Sequence, residues 1–201
     1  MDYTANKILL RGELAQLPAF SHENHGRRFF RFPLRVERLS GTADVLDVIA
    51  PEQVLETVDL SGGELLEVTG QLRSFNNRQG AGRKLVISAF CDELRACGGE
   101  PDNQVFLSGA LCRAPVFRRT PLGREICDIM LAVNRPYRRA DYLPCILWGR
   151  TAHQAADLPV GTHLTVTGRL QSREYIKTLD TGTEKRVAYE VSAMSAEIEE
   201  A

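Results

Sequence analysis

The sequence predicts an all-β protein made of two related barrels, because one pattern of strand signals occurs twice along the chain. Segments that alternate apolar and polar residues, as half-buried strands do, recur through both halves of its 201 residues. The segment 68–72 recurs at 166–170, an offset of 98. Four residues of the first half recur 97 positions later: Gly12, Pro18, Phe20 and Gly26 as Gly109, Pro115, Phe117 and Gly123. We therefore predict a duplicated domain with two unequal copies.

The second half contains five predicted strands and one predicted helix, in the order strand, strand, strand, helix, strand, strand. In the second of these strands, alternate residues from Cys127 to Val133 are apolar and therefore share one face. A short alanine-containing segment that ends before Pro159 and Gly161 predicts the helix. The predicted strands cover residues 105–110, 126–133, 143–148, 163–175 and 186–194, and the helix covers residues 150–158.

The first half repeats this order, with Pro51 in a first helical turn, where its missing N–H is not needed. Its predicted strands cover residues 7–12, 29–38, 44–50, 64–75 and 84–90, and its helix covers residues 51–58. Gly98, Gly99 and Pro101 predict a linker at 96–102 between domains 1–95 and 103–201. Five strands with a helix between the third and fourth is the element order of the OB-fold, a Greek-key barrel. We predict two tandem OB-folds, a fold that commonly binds oligonucleotides or oligosaccharides.

Charge and composition exclude some functional classes and leave others open. The formal net charge is −1, with 12 Lys/Arg and 14 Asp/Glu in residues 1–100 and 13 and 12 in the remainder. Because the chain is not strongly basic, any role with nucleic acid depends on where its cations lie. No segment is apolar enough for a membrane span or a secretion signal, so we expect a soluble, cytoplasmic protein without a membrane partner.

Cysteines, histidines and carboxylates give no sign of a metal, a cofactor or a catalytic centre. The five cysteines are odd in number and lack CxxC spacing, so we expect buried free thiols. His22 and His25 flank a predicted turn. Asp128 and Asp141 are interpreted as solvated surface carboxylates. We therefore expect no enzyme, no metal and no cofactor.

Aromatic rings alternate with cations on the predicted outer face of the second copy. Tyr142 and Trp148 share one parity of the third strand, and the outward row of the fourth strand includes Tyr175. Rings stack on unpaired bases and Arg meets phosphates, which is the chemistry of single-strand binding. Structural roles for the rings and solvation for the cations remain the alternative. The candidate cations are Arg135, Arg138, Arg139, Arg169, Arg173 and Lys177, and Tyr137 lies among the first three.

The second copy resembles the bacterial single-stranded DNA-binding protein family. The resemblance extends over nearly all of residues 103–195 and lies in five segments: 103–109, 131–135, 146–152, 161–170 and 189–193. It implies that Tyr137, Tyr142, Trp148 and Tyr175 stack on DNA bases. It also implies replication, recombination or repair as the setting, and a homodimer that presents four OB domains.

The first copy keeps the apolar pattern but has no ring at the four corresponding positions, which are Ser40, Val45, Pro51 and Asn77. We expect it to serve mainly in assembly, with weak contact to the nucleic acid; a protein partner is the alternative. The candidate residues for weak contact are Arg31, Arg35, Arg73, Phe75, Arg78, Arg83 and Lys84. A solvated turn is the alternative for the last three.

Two further expectations concern partners. The sequence ends in acidic residues without the terminal Phe that family members commonly use to recruit enzymes, so an accessory rather than a housekeeping role is expected. A protein-interaction module of the primosomal kind, with vestigial DNA binding, is the alternative function. Nothing in the residues separates single-stranded DNA from RNA.

Overall fold

The computed structural model describes residues 5–76, 85–179 and 182–199, and it is an all-β structure in these ranges. Within these ranges, the first copy contains six strands and one short helix. They are β1 (Asn6–Leu14), β2 (Ala19–Asn24), β3 (Arg27–Glu37), β4 (Ala43–Pro51), α1 (Glu52–Leu55), β5 (Leu65–Asn76) and β6 (Leu85–Ala96).

The second copy repeats the same order within the described residues. Its elements are β7 (Asp102–Leu111), β8 (Val116–Arg119), β9 (Glu125–Arg135), β10 (Arg139–Trp148), α2 (Gly149–Ala155), β11 (His163–Leu179) and β12 (Gly182–Ile198). Neither helix is long enough, within the part of the chain described, to span a lipid bilayer.

Each copy closes into a five-stranded barrel. In the first, β1 pairs with β5 along most of its length and with β3 at its end, while the parallel pair β4–β6 completes the circuit. In the second, β7 pairs with β11 and β9 in the same way, and β10 with β12. Alternate residues fill each interior, and the predicted inward row from Cys127 to Val133 is fully buried. The prediction of two OB-folds is therefore confirmed.

Glycines at the strand crossings explain part of the internal repeat. A Cβ on Gly70 would lie 2.0 Å from the Phe90 carbonyl oxygen, and one on Gly168 would lie 2.3 Å from that of Ser192. Both glycines sit at a bulge, where β5 meets β6 and where β11 meets β12. Only a residue without a side chain fits so close to a neighbouring backbone, so both copies carry Val-Thr-Gly at this point.

The two barrels are related by a pseudo-twofold axis. Strands β1 and β7 pair antiparallel with Ile8 opposite Val105, so that all twelve strands form one sheet in the described ranges. The pair Asn6–Leu107 becomes the pair Leu10–Asn103 when each residue is replaced by its counterpart in the other copy. An association of this kind buries the same surface of both copies. The domain boundaries near residues 95 and 103 remain a prediction.

Two buried carboxylates fasten the barrels to each other across this axis. Asp141 accepts hydrogen bonds from the backbone N–H of Ser74 (2.7 Å) and from the guanidinium groups of Arg73 (3.1 Å) and Arg135 (3.3 Å). The prediction of a solvated surface Asp141 is therefore wrong, because its side chain is fully buried between the copies. Asp128, by contrast, is half-buried beside Arg118.

The counterpart of this joint is centred on Asp44. It accepts hydrogen bonds from Arg38 Nη2 (2.6 Å) and from the backbone N–H of Ser172 in the other barrel (2.7 Å). Burial raises the pKa of Asp44, but the hydrogen bonds from Arg38 and Ser172 outweigh it and hold the pKa below its ordinary value. Tyr189 adds a third contact by donating its hydroxyl to the Val45 carbonyl (3.0 Å).

Several local predictions need correction. Strands β2 and β8 were not predicted, and they extend the barrels as exposed hairpins. Pro51 ends β4 and caps α1 rather than lying in its first turn, and both helices are shorter than predicted. The prediction of buried thiols holds for Cys91, Cys127 and Cys145, whereas Cys97 is half-buried and Cys112 is exposed.

Candidate nucleic-acid interface

The hairpin between β9 and β10 presents the most exposed ring of the predicted set. Tyr137 and Arg138 both adopt left-handed backbone conformations, with φ of 63° and 55°, and the Tyr137 side chain is 92% exposed. Such conformations cost L-residues about 1 kcal/mol or more each. The turn therefore holds a bulky ring in solvent at a conformational cost. The side chains of Arg138 and Arg139 are exposed beside it.

Strand β10 places two further rings on its outer face. Tyr142 is 46% exposed, while Trp148 is half-buried at the end of the strand. The Trp148 Nε1–H donates a hydrogen bond to Ser192 Oγ (3.0 Å), which fixes the plane of the indole. Six residues of strand separate the two rings by roughly 20 Å. Neither ring belongs to the barrel core.

Strand β11 contributes the fourth ring and its neighbouring cations. The guanidinium of Arg173 lies 5.8 Å from the centroid of the half-buried Tyr175 ring, within cation–π distance. Arg173 also pairs with Glu190 (3.4 Å), whose pKa is raised by burial despite that pair. Lys177 is exposed further along the strand, and Arg169 is half-buried near the junction of the barrels.

A shallow depression of about 420 Å³ lies beside Arg173 on the second barrel, and none of the four predicted rings lines it. Its lining includes Met130, Pro144 and Ile146, together with Leu85 from the first barrel. Two ion pairs line it, Arg118 with Asp128 (2.5 Å) and Arg173 with Glu190. Within the described ranges, no cluster of His, Cys, Asp and Glu is arranged to hold a metal ion.

Some predicted cations have structural partners. Arg73 and Arg135 share the buried carboxylate of Asp141, which neutralises only part of their combined positive charge. In the first barrel, Arg31 pairs with Asp47 (3.0 Å) and Arg35 with Glu13 (3.7 Å). Phe75 is 45% exposed at the end of β5. The remaining predicted residues, Arg78, Arg83 and Lys84, lie outside the described residues.

Sequence comparison missed rings on the first barrel. Phe29 on β3 and Phe90 on β6 lie on its outer face with their centroids 6.0 Å apart. The exposed His22 ring stacks on Phe29 at 4.8 Å, with an angle of 10° between the planes. The signal was available, because Phe29 has the same outward parity as Arg31 and Arg35. The two copies were compared only at the four ring positions of the second copy, and such a comparison cannot detect rings at other positions.

The fold and this face define a class: a tandem OB-fold protein whose second barrel presents rings and cations on its outer sheet surface. A match to the model of the Single-strand binding protein family covers residues 102–198, which is the second barrel. Single-stranded DNA-binding protein B of Bacillus subtilis is 39% identical over 80 residues, and the match covers 71% of that protein and 36% of this chain. The chain belongs to the single-strand binding protein family.

Two other comparisons extend this finding. The single-stranded DNA-binding protein of Halalkalibacterium halodurans is 40% identical over 80 residues, which cover 36% of this chain and 48% of that protein. The match spans about half the length of most curated relatives. The crystal structure of the wild-type single-stranded DNA binding protein from Thermus aquaticus superposes with a TM-score of 0.80 at 25% identity, over 98% of this chain and 93% of that one. Both barrels therefore have counterparts in that structure.

Proposed function

We propose that this protein binds single-stranded DNA without catalysing a reaction, through stacking of unpaired bases on the second barrel. The observation that carries the proposal is the placement of Tyr137, Tyr142 and Trp148 on one hairpin and its outer face, none of them in the core. Membership of the family supports the same function.

The side chains suggest a division of roles. Unpaired bases stack on the rings, each contact contributing about 1–3 kcal/mol, and the strand's phosphates meet the exposed cations Arg138 and Arg139. Trp148 offers a face of fixed orientation, because Ser192 holds its Nε1–H. Pro144 and Ile146 lie between Tyr142 and Trp148 on the same face of β10. They offer apolar surface to a base placed between the two rings.

Tyr175 and Arg173 extend the proposed path along β11, and Arg169 and Lys177 supply further positive charge. Arg135 has a different role in this proposal. Its ion pair with Asp141 positions the hairpin that carries Tyr137, so its effect on DNA is indirect. In the first barrel, Phe75 is an exposed ring two residues from Arg73, whose ion pair with Asp141 holds this end of β5.

Assembly and setting form the outer part of the proposal. We expect two copies of this chain to associate, which would bring four barrels together around one strand of DNA. Symmetric self-association is the commonest form of assembly for soluble proteins. Replication, recombination or repair is the expected setting. Sedimentation velocity with and without oligonucleotide would test the dimer.

The proposal is tested by ring removal with matched controls. Tyr137→Ala and Tyr142→Ala are compared with Leu39→Ala and Val45→Ala, which alter the corresponding loop and strand of the first barrel at nearly the same exposure (94% and 47%). The probe is fluorescein-labelled oligo-dT of roughly 10 nucleotides, within the site size of one OB-fold. Anisotropy titration gives Kd.

We expect each Tyr variant to weaken binding by about 5- to 100-fold, because each removes one stacking contact. The two controls stay within twofold of the unchanged protein. Equal Kd values for all four variants would mean that the rings do not touch DNA.

A further inference from the structure

We propose that the first barrel has its own stacking platform for single-stranded DNA, formed by His22, Phe29 and Phe90 and joined to the second barrel's face through Arg73. This inference rests on the proposed function and names a second site for the same ligand. It also revises the expectation that the first copy serves mainly in assembly.

The rings of this platform lie on the face that corresponds to the Trp148 face. In the second barrel, Trp148 lies opposite Ile126 and donates a hydrogen bond to Ser192. In the first barrel, Pro51 takes the place of Trp148, Phe29 that of Ile126 and Phe90 that of Ser192. Phe90 matches Ser192 because Ile49 pairs with Phe90 as Ile146 pairs with Ser192. The ring of the second barrel therefore lies on β10, whereas those of the first barrel lie on β3 and β6, the two neighbours of the corresponding strand β4.

The π groups form a row that crosses the sheet. His22 stacks on Phe29 (4.8 Å), Phe29 contacts Phe90 (6.0 Å), and the Arg73 guanidinium lies 5.6 Å from the Phe90 centroid. Phe29 and Phe90 are only half-buried, and His22 is exposed, so part of the row remains accessible. A base could continue the stack at the free face of His22 or lie over the exposed parts of the two Phe rings.

Arg73 connects this row to the second barrel. Its guanidinium reaches Asp141 (3.1 Å), the residue before Tyr142, and the Tyr142 backbone N–H donates to Ser74 Oγ (2.7 Å). The end of the row therefore lies one residue from a ring of the proposed DNA face. A strand that leaves Tyr142 would meet Arg73 and then Phe90, and it would pass the exposed Asp92, whose carboxylate interacts electrostatically with Arg73.

The chemistry of the row favours unpaired bases as its occupant. Stacked rings beside Arg residues offer π faces and positive charge together, which suits a base and its phosphate. The rings lie beside Pro51 and the nearly buried Ile49 of β4, and the Arg31–Asp47 ion pair borders them. A row of rings that ends at a guanidinium group favours a base with its phosphate over an apolar protein partner.

The test uses two oligonucleotide lengths and the full chain. The variant Phe29→Leu/Phe90→Leu keeps apolar bulk but removes both rings, and His22→Ala alters only an exposed ring. Phe20→Leu is the matched control, because Phe20 is a 56%-exposed ring of the same hairpin that packs on Phe30 instead. The probes are oligo-dT of roughly 8 and roughly 30 nucleotides, which are short enough for one barrel and long enough for two. Trp148 quenching reports the second barrel, and labelled-DNA anisotropy reports total affinity.

We expect the double variant to bind the long probe about 10-fold more weakly and His22→Ala about threefold more weakly. Both keep the unchanged protein's Trp148 titration with the short probe, and Phe20→Leu matches the unchanged protein throughout. Long-probe affinities within twofold for both ring variants would overturn the inference. An equal loss with both probes would also overturn it, since the rings would then act through the second barrel. If the unchanged protein binds neither probe, the proposed function fails first.

Discussion

Removal of the Asp141 carboxylate tests whether the junction between the barrels stabilises the protein. The substitution Asp141→Ala leaves the guanidinium groups of Arg73 and Arg135 without their shared partner and the Ser74 N–H without its acceptor. Both arginine side chains are about three-quarters buried, with exposures of 23% and 28%. Water can therefore satisfy them only in part.

The size of the effect follows from these contacts. Breaking a buried ion pair from one side costs about 3–5 kcal/mol, and the partial exposure of the arginines reduces this to about 2–4 kcal/mol. A slope of about 2 kcal/mol per molar urea converts the loss into a midpoint shift of about 1–2 M. Urea titration followed by circular dichroism measures the shift.

The control for this experiment is Asp157→Ala, which removes an exposed carboxylate from the same barrel. It is expected to change the free energy of unfolding by less than about 0.5 kcal/mol. Asp44→Ala, at the pseudo-symmetric joint, is expected to resemble Asp141→Ala. If Asp141→Ala behaves like Asp157→Ala, the carboxylate does not hold the barrels together.

Three further predictions follow from other local features. Gly168→Ala should lower the free energy of unfolding by about 2–3 kcal/mol, because its Cβ meets the Ser192 carbonyl, whereas Gly98→Ala has open space and should stay within about 0.5 kcal/mol in the same urea titration. The lowered pKa of Asp44 gives stability that is present above the unfolded pKa of about 3.9 and is lost as pH falls through the folded pKa. In acid titration, the free energy of unfolding of Asp44→Asn should therefore decline less steeply below pH of about 4 than that of the unchanged protein. Parallel curves would refute this. Tyr137→Asn should keep or raise the thermal midpoint, since Asn tolerates a left-handed backbone, yet weaken oligo-dT binding about 5-fold or more; a drop in the midpoint would mean that the turn is not strained.

The barrel fold could be predicted because its determinants are local. Alternation along β9 separates core from surface, and the repeated Val-Thr-Gly marks a crossing where a side chain cannot fit. Hairpin strands β2 and β8 were missed because their residues are mostly exposed and show no alternation.

The junction was missed for a different reason. Asp141 shares parity with the buried Leu143, Cys145 and Leu147, so its pattern indicated an inward position that was not expected of a carboxylate. Two of the donors to Asp141, Arg73 and the Ser74 N–H, come from the other barrel, and no local pattern shows which distant strand lies next to a residue. The equal spacing of Asp44 and Asp141 within the repeat was the available signal.

The ring positions of the second barrel could be proposed from parity and resemblance, but their environments could not. Tyr137 is freely exposed, whereas Trp148 is half-buried and anchored by Ser192. The hydrogen bond depends on the parallel pairing of β10 with β12, which brings together residues 44 positions apart. Such pairings follow from the closure of the barrel rather than from neighbouring residues.

Fluorescence titration of Trp148 with oligo-dT is the most direct test of base stacking on the second barrel, because the chain contains one Trp and it lies in the proposed stacking face. Stacking on Trp148 should give saturable quenching at low salt and an affinity that falls as salt rises, with a log–log slope of about −0.7 for each phosphate contact. Unchanged Trp148 emission at low salt, with DNA present at high concentration, would contradict it.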